Sequence, residues 1–181
     1  MILIYVDDIL ITGNSSTYCS ELFSLLQTHF PLKDLGDLHN FLGLEVKRYA
    51  SSIFLSQTKY ALDLLNKHDM LGAKPCSSPV CVGTKFSATD GVPLSDPTSY
   101  RSMVGALKYL TWNRPEICYA VNQVCQFMQS PISEHLTAAK RILRYIKSTV
   151  DYGILFNKGL LAVHGFSDAD WDGSPDTRRS T

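Results

Sequence analysis

The 181-residue chain carries 17 Lys and Arg against 17 Asp and Glu, a formal net charge of zero, with 45% hydrophobic and 19% charged residues. Such a composition suits a globular chain with one good core or two small ones, and it excludes both wholesale disorder and nucleic-acid binding through a global basic field. Any such contact must be local. The five cysteines (Cys19, Cys76, Cys81, Cys118, Cys125) form no C-x-x-C pair. With no signal peptide before them they read as reduced thiols, and a zinc site is not expected. The apolar start "MILIYV" meets Asp7 after six residues, too short for a membrane span. The chain is expected to be soluble and intracellular, with no membrane partner.

In chain order, "ILIYV" and "ILITG" are two β-branched runs on either side of Asp7 and Asp8, the pattern of a hairpin whose turn carries both aspartates. Ser15 or Ser16 caps a following helix with Tyr18, Leu22, Leu25 and Leu26 at helical spacing, and Pro31 stops it. "FLGLEVKRY" and "IFLSQ" predict a second hairpin about Ala50, Ser51 and Ser52, with Leu42, Leu44 and Val46 on one face. A helix then runs from Ser56 through Tyr60, Leu64 and Leu65 towards Gly72 as its stop. Residues 72–99 hold Pro75, Pro79, Pro93 and Pro97 among small polar residues. They predict a linker or long wrapping loop and the best internal boundary.

Beyond it the pattern is helical. Asp96-Pro97 opens a helix with the stripe Tyr100, Val104, Leu107 and Leu110, and Pro115 opens another with Ile117, Val121, Val124 and Met128. Ser130-Pro131 opens a third with Ile132, Leu136, Ala139, Leu143 and Ile146 on one side. Lys140, Arg144 and Lys147 form a neighbouring stripe with Arg141 close to it. Those four charges read equally as a solvated face or as a phosphate-contacting one. "YGILF" and "AVHGF" return to strand pattern before "SDADWDGSPDTRRST".

Adjacent side chains on a strand point to opposite faces, so Asp7 and Asp8 converge on one cation only where the backbone turns. Two readings stand: a polar β-turn, or a site for magnesium, which takes carboxylate oxygens and completes its shell with water and substrate phosphates.

"YVDD" between aliphatic strands resembles the catalytic hairpin of reverse transcriptases. The blocks "LGDLHNFLGLEV", "LSQTKYALDLL", "DPTSYRSMVGALKYLTWNRPEICYAVNQVCQFM", "HLTAAKRILRYIKST" and "SDADWDGSPDTRRST" extend that resemblance, in order, to the Pol polyproteins of plant copia-type long-terminal-repeat retrotransposons. It implies an α+β fold: a partial palm and primer-grip region with two β-hairpins over residues 1–71, then the linker or wrapping loop of 72–99. A helical thumb and connection would follow over 100–150, and the truncated start of a ribonuclease H domain over 151–181. By the same resemblance Asp7 and Asp8 are catalytic magnesium ligands and Tyr5 lies near the nucleotide or primer end. Phe41, Leu42 and Gly43 correspond to the primer grip, and Lys140, Arg141, Arg144 and Lys147 face the phosphates of an RNA template and DNA primer duplex. Asp168 resembles the first metal-binding aspartate of ribonuclease H, while Asp170 and Asp172 are expected to be solvated turn residues. A family polymerase takes a further metal-binding aspartate and its fingers from upstream, so these 181 residues are expected to be inactive alone, needing the missing upstream half as partner. The alternatives are a retained nucleic-acid-binding or interaction module, and a relic reading frame without a selected role.

Overall fold

The computed structural model describes residues 1–81, 83, 86–88, 90–159, 165 and 167. Asp168, with Asp170 and Asp172, and most of the expected strand "AVHGF" lie outside the described residues. The described chain is α+β, with helices and antiparallel strands. It divides into two compact units, Met1–Val46 and Lys47–Thr181. The division falls near the second expected hairpin, whereas the sequence expectation placed its boundary at 72–99.

In the first unit, β1 (Ile2–Tyr5) and β2 (Asp8–Ile11) pair antiparallel, with Ile2 opposite Ile11, Leu3 opposite Leu10, Ile4 opposite Ile9 and Tyr5 opposite Asp8. Each aliphatic side chain thereby meets another across the ladder, the pairing that stabilises a two-stranded ribbon. The register leaves Val6 and Asp7 as the loop. The turn therefore sits one residue earlier than the aspartate pair suggests, and Asp8 begins the second strand. Ser15 caps α1 (Ser16–His29) by accepting from the Tyr18 amide at 3.3 Å, and the helix stops two residues before Pro31 as expected. None of its residues is fully buried, and Tyr18 and Leu25 are exposed.

The stretch "FLGLEV" is itself a tight hairpin rather than one strand. β3 (Asn40–Phe41) pairs with β4 (Leu44–Arg48), Phe41 facing Leu44 across a Leu42–Gly43 loop. Both loop residues have positive φ, 52° and 72°, the sign pattern of a type I′ turn. Glycine accepts that conformation freely; a leucine does not. Leu42 therefore does not share a strand face with Leu44 and Val46.

In the second unit the Tyr49 amide donates to the Ser52 carbonyl at 2.9 Å, closing the reversal before β5 (Ser52–Ser56). β6 (Gly153–Asn157) pairs antiparallel with β5 from Ser52 opposite Asn157 to Ser56 opposite Gly153. Nearly one hundred residues separate the two strands, and helices fill the interval: α2 (Thr58–Lys67), α3 (Pro97–Leu110), α4 (Cys118–Cys125) and α5 (Ser133–Ser148). Ala61, Leu64 and Leu65 of α2, Tyr100, Met103, Val104, Leu107 and Leu110 of α3, and Ile117 form one buried cluster. Val121 and Val124 of α4 join it, as do Ala139, Ile142, Leu143 and Ile146 of α5. The expected stripe of α3 is buried in full, and Met103 adds to it.

α2 stops at Asp69, not at Gly72. Asp69 has φ 54°, its amide donates to the Asn66 carbonyl at 3.1 Å, and the Met70 amide donates to the Leu65 carbonyl at 2.8 Å. These are the two bonds of a Schellman cap, with Met70 and Leu65 both in the core to complete it. Asp96 caps α3 by accepting from the Thr98 amide at 3.0 Å, with Pro97 at the first helical position. Described residues towards both ends of the segment 72–99 bond to α5 and the chain just before it. The Cys76 amide donates to the Arg144 carbonyl at 3.3 Å, the Leu94 amide to the Pro131 carbonyl at 3.1 Å, and the Ser133 amide to the Val92 carbonyl at 2.9 Å.

Candidate metal and nucleic-acid site

The Asp7–Asp8 pair is held by a two-residue hairpin loop closed at Tyr5 and Asp8. Val6 has φ 49°, left-handed backbone that a β-branched residue adopts only under strain. At the first loop position this conformation favours glycine. Strain of this kind is worth about 1–3 kcal/mol and concentrates where geometry serves a ligand. Tyr5, Val6, Asp7 and Asp8 are all exposed. The donor set is two carboxylates with no thiol or imidazole beside them in sequence, chemistry that fits a hard oxygen-seeking cation such as magnesium. Among the described residues no three His, Cys, Asp or Glu side chains are grouped as a metal site.

Phe41, Leu42 and Gly43 are brought together as the tip of their own hairpin, Phe41 and Leu42 half-buried and Gly43 exposed. The four basic residues of α5 fare differently from one another. Lys140 is exposed. Arg144 donates through Nε to the Lys74 carbonyl at 2.8 Å, and Lys147 donates through Nζ to the Ala73 carbonyl at 2.7 Å. Two of the four cations thus pin the wrapping loop. The proline content of residues 72–99 signalled only that carbonyls there would need donors from elsewhere, because an irregular segment has carbonyls that no ladder satisfies; it did not say which donors. Arg141 is half-buried, and its Nε is enclosed without a hydrogen-bond partner among the described residues.

Two further groups escaped the sequence reading. Arg114 is 2% exposed and ties the start of α4 to the end of α5, donating to the Glu116 carboxylate at 2.6 Å and to the Thr149 carbonyl at 2.9 Å. The rings of Tyr145 and Tyr152 lie 6.0 and 5.4 Å from its guanidinium carbon. His68 caps α2, and its imidazole is held below its ordinary value, first by burial and then by the ammonium groups of Lys67 and Lys140.

The family model described as reverse transcriptase (RNA-dependent DNA polymerase) matches residues 1–82, which include both tight hairpins. Over 180 residues, 99% of this chain, the sequence is 49% identical to the retrovirus-related Pol polyprotein from transposon RE1 of Arabidopsis thaliana. It is 46% identical to the corresponding polyprotein from transposon RE2 of the same plant over the same share. An uncharacterized mitochondrial protein of Arabidopsis thaliana is 47% identical over 181 residues, covering 99% of this chain and 75% of that one. The chain belongs to the reverse transcriptase family. Within that family its relatives are the Pol polyproteins of copia-type plant retrotransposons, and it spans 12% of the length of the RE1 and RE2 polyproteins. No solved structure matches the chain. The reverse transcriptase match takes in Asp7, Asp8, Phe41, Leu42 and Gly43 and ends before α3, while the similarity to the polyproteins runs on through the basic residues of α5. Among the described residues no helix is long and apolar enough to cross a membrane.

Proposed function

We propose that these 181 residues are the catalytic-hairpin, primer-grip and thumb portion of a copia-type RNA-directed DNA polymerase. The observation that carries this reading is the exposed Asp7–Asp8 pair on a strained hairpin turn within the stretch matched to reverse transcriptases. Asp7 and Asp8 would hold magnesium, which, when bound, neutralises charge developing on the phosphates during nucleotidyl transfer. Tyr5, at the closing pair of the same hairpin, lies beside the nucleotide or the primer end. The Phe41–Gly43 turn bears on the primer strand, and Lys140, with Arg141, Arg144 and Lys147 near it, faces the template-primer duplex. Asp168 is the first metal aspartate of a ribonuclease H segment. Asp7 and Asp8 come from one hairpin, and a two-metal clamp draws carboxylates from more than one element. The 181 residues by themselves therefore do not turn over; their partner is the polymerase segment carrying a further aspartate and the fingers.

Primer extension on an RNA template, with magnesium or manganese, tests this. The unmodified chain, its Asp7→Asn, Asp8→Asn variant, and both sequences fused behind the preceding segment of a copia-type polyprotein are compared. Extension is expected only from the fusion that keeps both aspartates. Equal extension by the two fusions overturns the metal assignment; extension by the unfused chain that vanishes in the double variant overturns its dependence on a partner.

A further inference from the structure

Beside α5 lies a cavity of about 320 Å³, at the lower end of the range that accommodates small organic ligands. Val80, Phe86, Val124 and Ile142 give it an apolar wall, and α5 supplies its polar lining through Glu134, Thr137, Arg141 and Arg144. Glu134 and Arg141 both line it, two helical turns apart, or about 10 Å along the axis at 1.5 Å per residue. Glu134 already accepts a hydrogen bond from the Ser133 hydroxyl. Arg141 is half-buried, and its Nε is enclosed and without a hydrogen-bond partner among the described residues. A desolvated guanidinium nitrogen facing apolar space carries an unmet cost, and the group that meets it best is a planar carboxylate, which takes two parallel N–H donors.

We propose that this cavity binds a small monoanionic ligand with a flat apolar body, its carboxylate on Arg141 and its ring against Phe86 and Val124. Arg144 also lines the cavity, but its Nε is committed to the Lys74 carbonyl; Glu134 disfavours a second negative charge, so a dianion is a poorer ligand. None of the lining residues belongs to the Asp7–Asp8 hairpin and polymerase activity is not the readout, so the proposal stands or falls apart from the metal assignment; it draws Arg141 away from the duplex-facing role proposed above. It also gives Arg141 a different task from Lys140 one position earlier.

The exposed thiol of Cys81 lines the same cavity, so occupancy can be read as protection of Cys81 from alkylation, followed by peptide mass spectrometry on the full 181-residue chain. The probes are 2-naphthoate, its neutral amide, and 2,6-naphthalenedicarboxylate. Naphthoate is expected to protect Cys81 at a concentration at least about tenfold lower than the amide or the dianion, the least that a charge-assisted hydrogen bond contributes. Arg141→Gln should erase the preference of acid over amide, and Ala138→Phe, which fills the cavity wall, should remove protection by either. Equal protection by acid and amide in the unmodified chain overturns the proposal without recourse to any variant. So does an acid preference that survives in Arg141→Gln, or no protection at millimolar naphthoate.

Discussion

The basic residues of α5 separate into two jobs, and a matched set of methionine substitutions distinguishes them, because methionine keeps an apolar stem and removes only the charged donor. Arg144 and Lys147 each hold a carbonyl of the wrapping loop, at 2.8 and 2.7 Å. A hydrogen bond from a charged donor contributes about 1.5–3 kcal/mol when well buried. Both side chains are only half-buried, and water replaces part of what is lost, so about 1 kcal/mol each is expected. For a unit of this size that corresponds to a fall in Tm of about 3 °C. Lys140 is exposed and donates no such hydrogen bond among the described residues, so Lys140→Met should leave Tm unchanged. Its effect belongs in binding. Each phosphate contact contributes about 0.9 to the slope of log affinity against log salt on B-form duplex, so Lys140→Met should flatten that slope by about 0.9. Arg144→Met and Lys147→Met should shift it by less than half as much. Thermal melts and fluorescence-anisotropy titrations of a labelled duplex from about 50 to 200 mM salt supply both numbers. If Arg144→Met and Lys147→Met flatten the slope as much as Lys140→Met while leaving Tm intact, the loop-pinning account is wrong and the stripe acts as one phosphate-facing surface.

Two other outcomes follow from buried groups of the second unit. Arg114→Met leaves the Thr149 carbonyl without its donor and Glu116 without its partner; it should lower unfolding free energy in urea by about 3 kcal/mol, and a loss under 1 kcal/mol would show that the guanidinium is replaceable by packing. His68 titrates below its ordinary 6.5 in the folded chain, so the folded state favours the neutral ring: stability is full above pH 6.5 and is lost as pH falls through the depressed folded value. An NMR titration of the His68 ring should give that depressed value, and Lys140→Met should raise it by removing one of the neighbouring charges.

How much of this was legible from the amino-acid sequence varies with how local the cause is. The stripe Tyr100, Val104, Leu107 and Leu110 and the Asp96-Pro97 start of α3 were readable because a 3.6-residue period and a cap involve only near neighbours. The hairpin carrying Asp7 and Asp8 was readable from its β-branched flanks, but its turn was displaced by one residue, since the register that matches Ile4 with Ile9 and Leu3 with Leu10 takes Val6 rather than Asp8 into the loop. Nothing in a valine or a leucine announces positive φ, so the strain at Val6 and the Leu42–Gly43 turn were hidden. The same holds for Asp69, which ends α2 where glycine was the obvious candidate. The spacing of Arg144 and Lys147 was plain, whereas their partners at Lys74 and Ala73 are some seventy residues away and no local pattern encodes them.

The two units also differ in what supports their functional residues. The second unit encloses its own helices' apolar faces, with Leu65, Tyr100, Leu107, Leu143 and Ile146 entirely buried. In the first unit Ile4, Val6 and Leu35 are 70%, 79% and 76% exposed. Asp7 and Asp8 sit on that open unit, on a ribbon of two strands, and such a ribbon is marginal in water without a third strand or a packed face. Its turn carries strain at Val6 that four cross-strand pairs must offset. Preorganised carboxylates require a rigid frame, and the requirement is strictest for phosphoryl transfer, where positioning supplies most of the rate. On the proposed metal-holding role, the limit on catalysis is therefore as much the rigidity of the ribbon beneath Asp7 and Asp8 as the number of carboxylates. A partner that packs on the aliphatic face of β1 and β2 would satisfy both needs at once, holding Val6 in its left-handed conformation while bringing the further ligand to the metal.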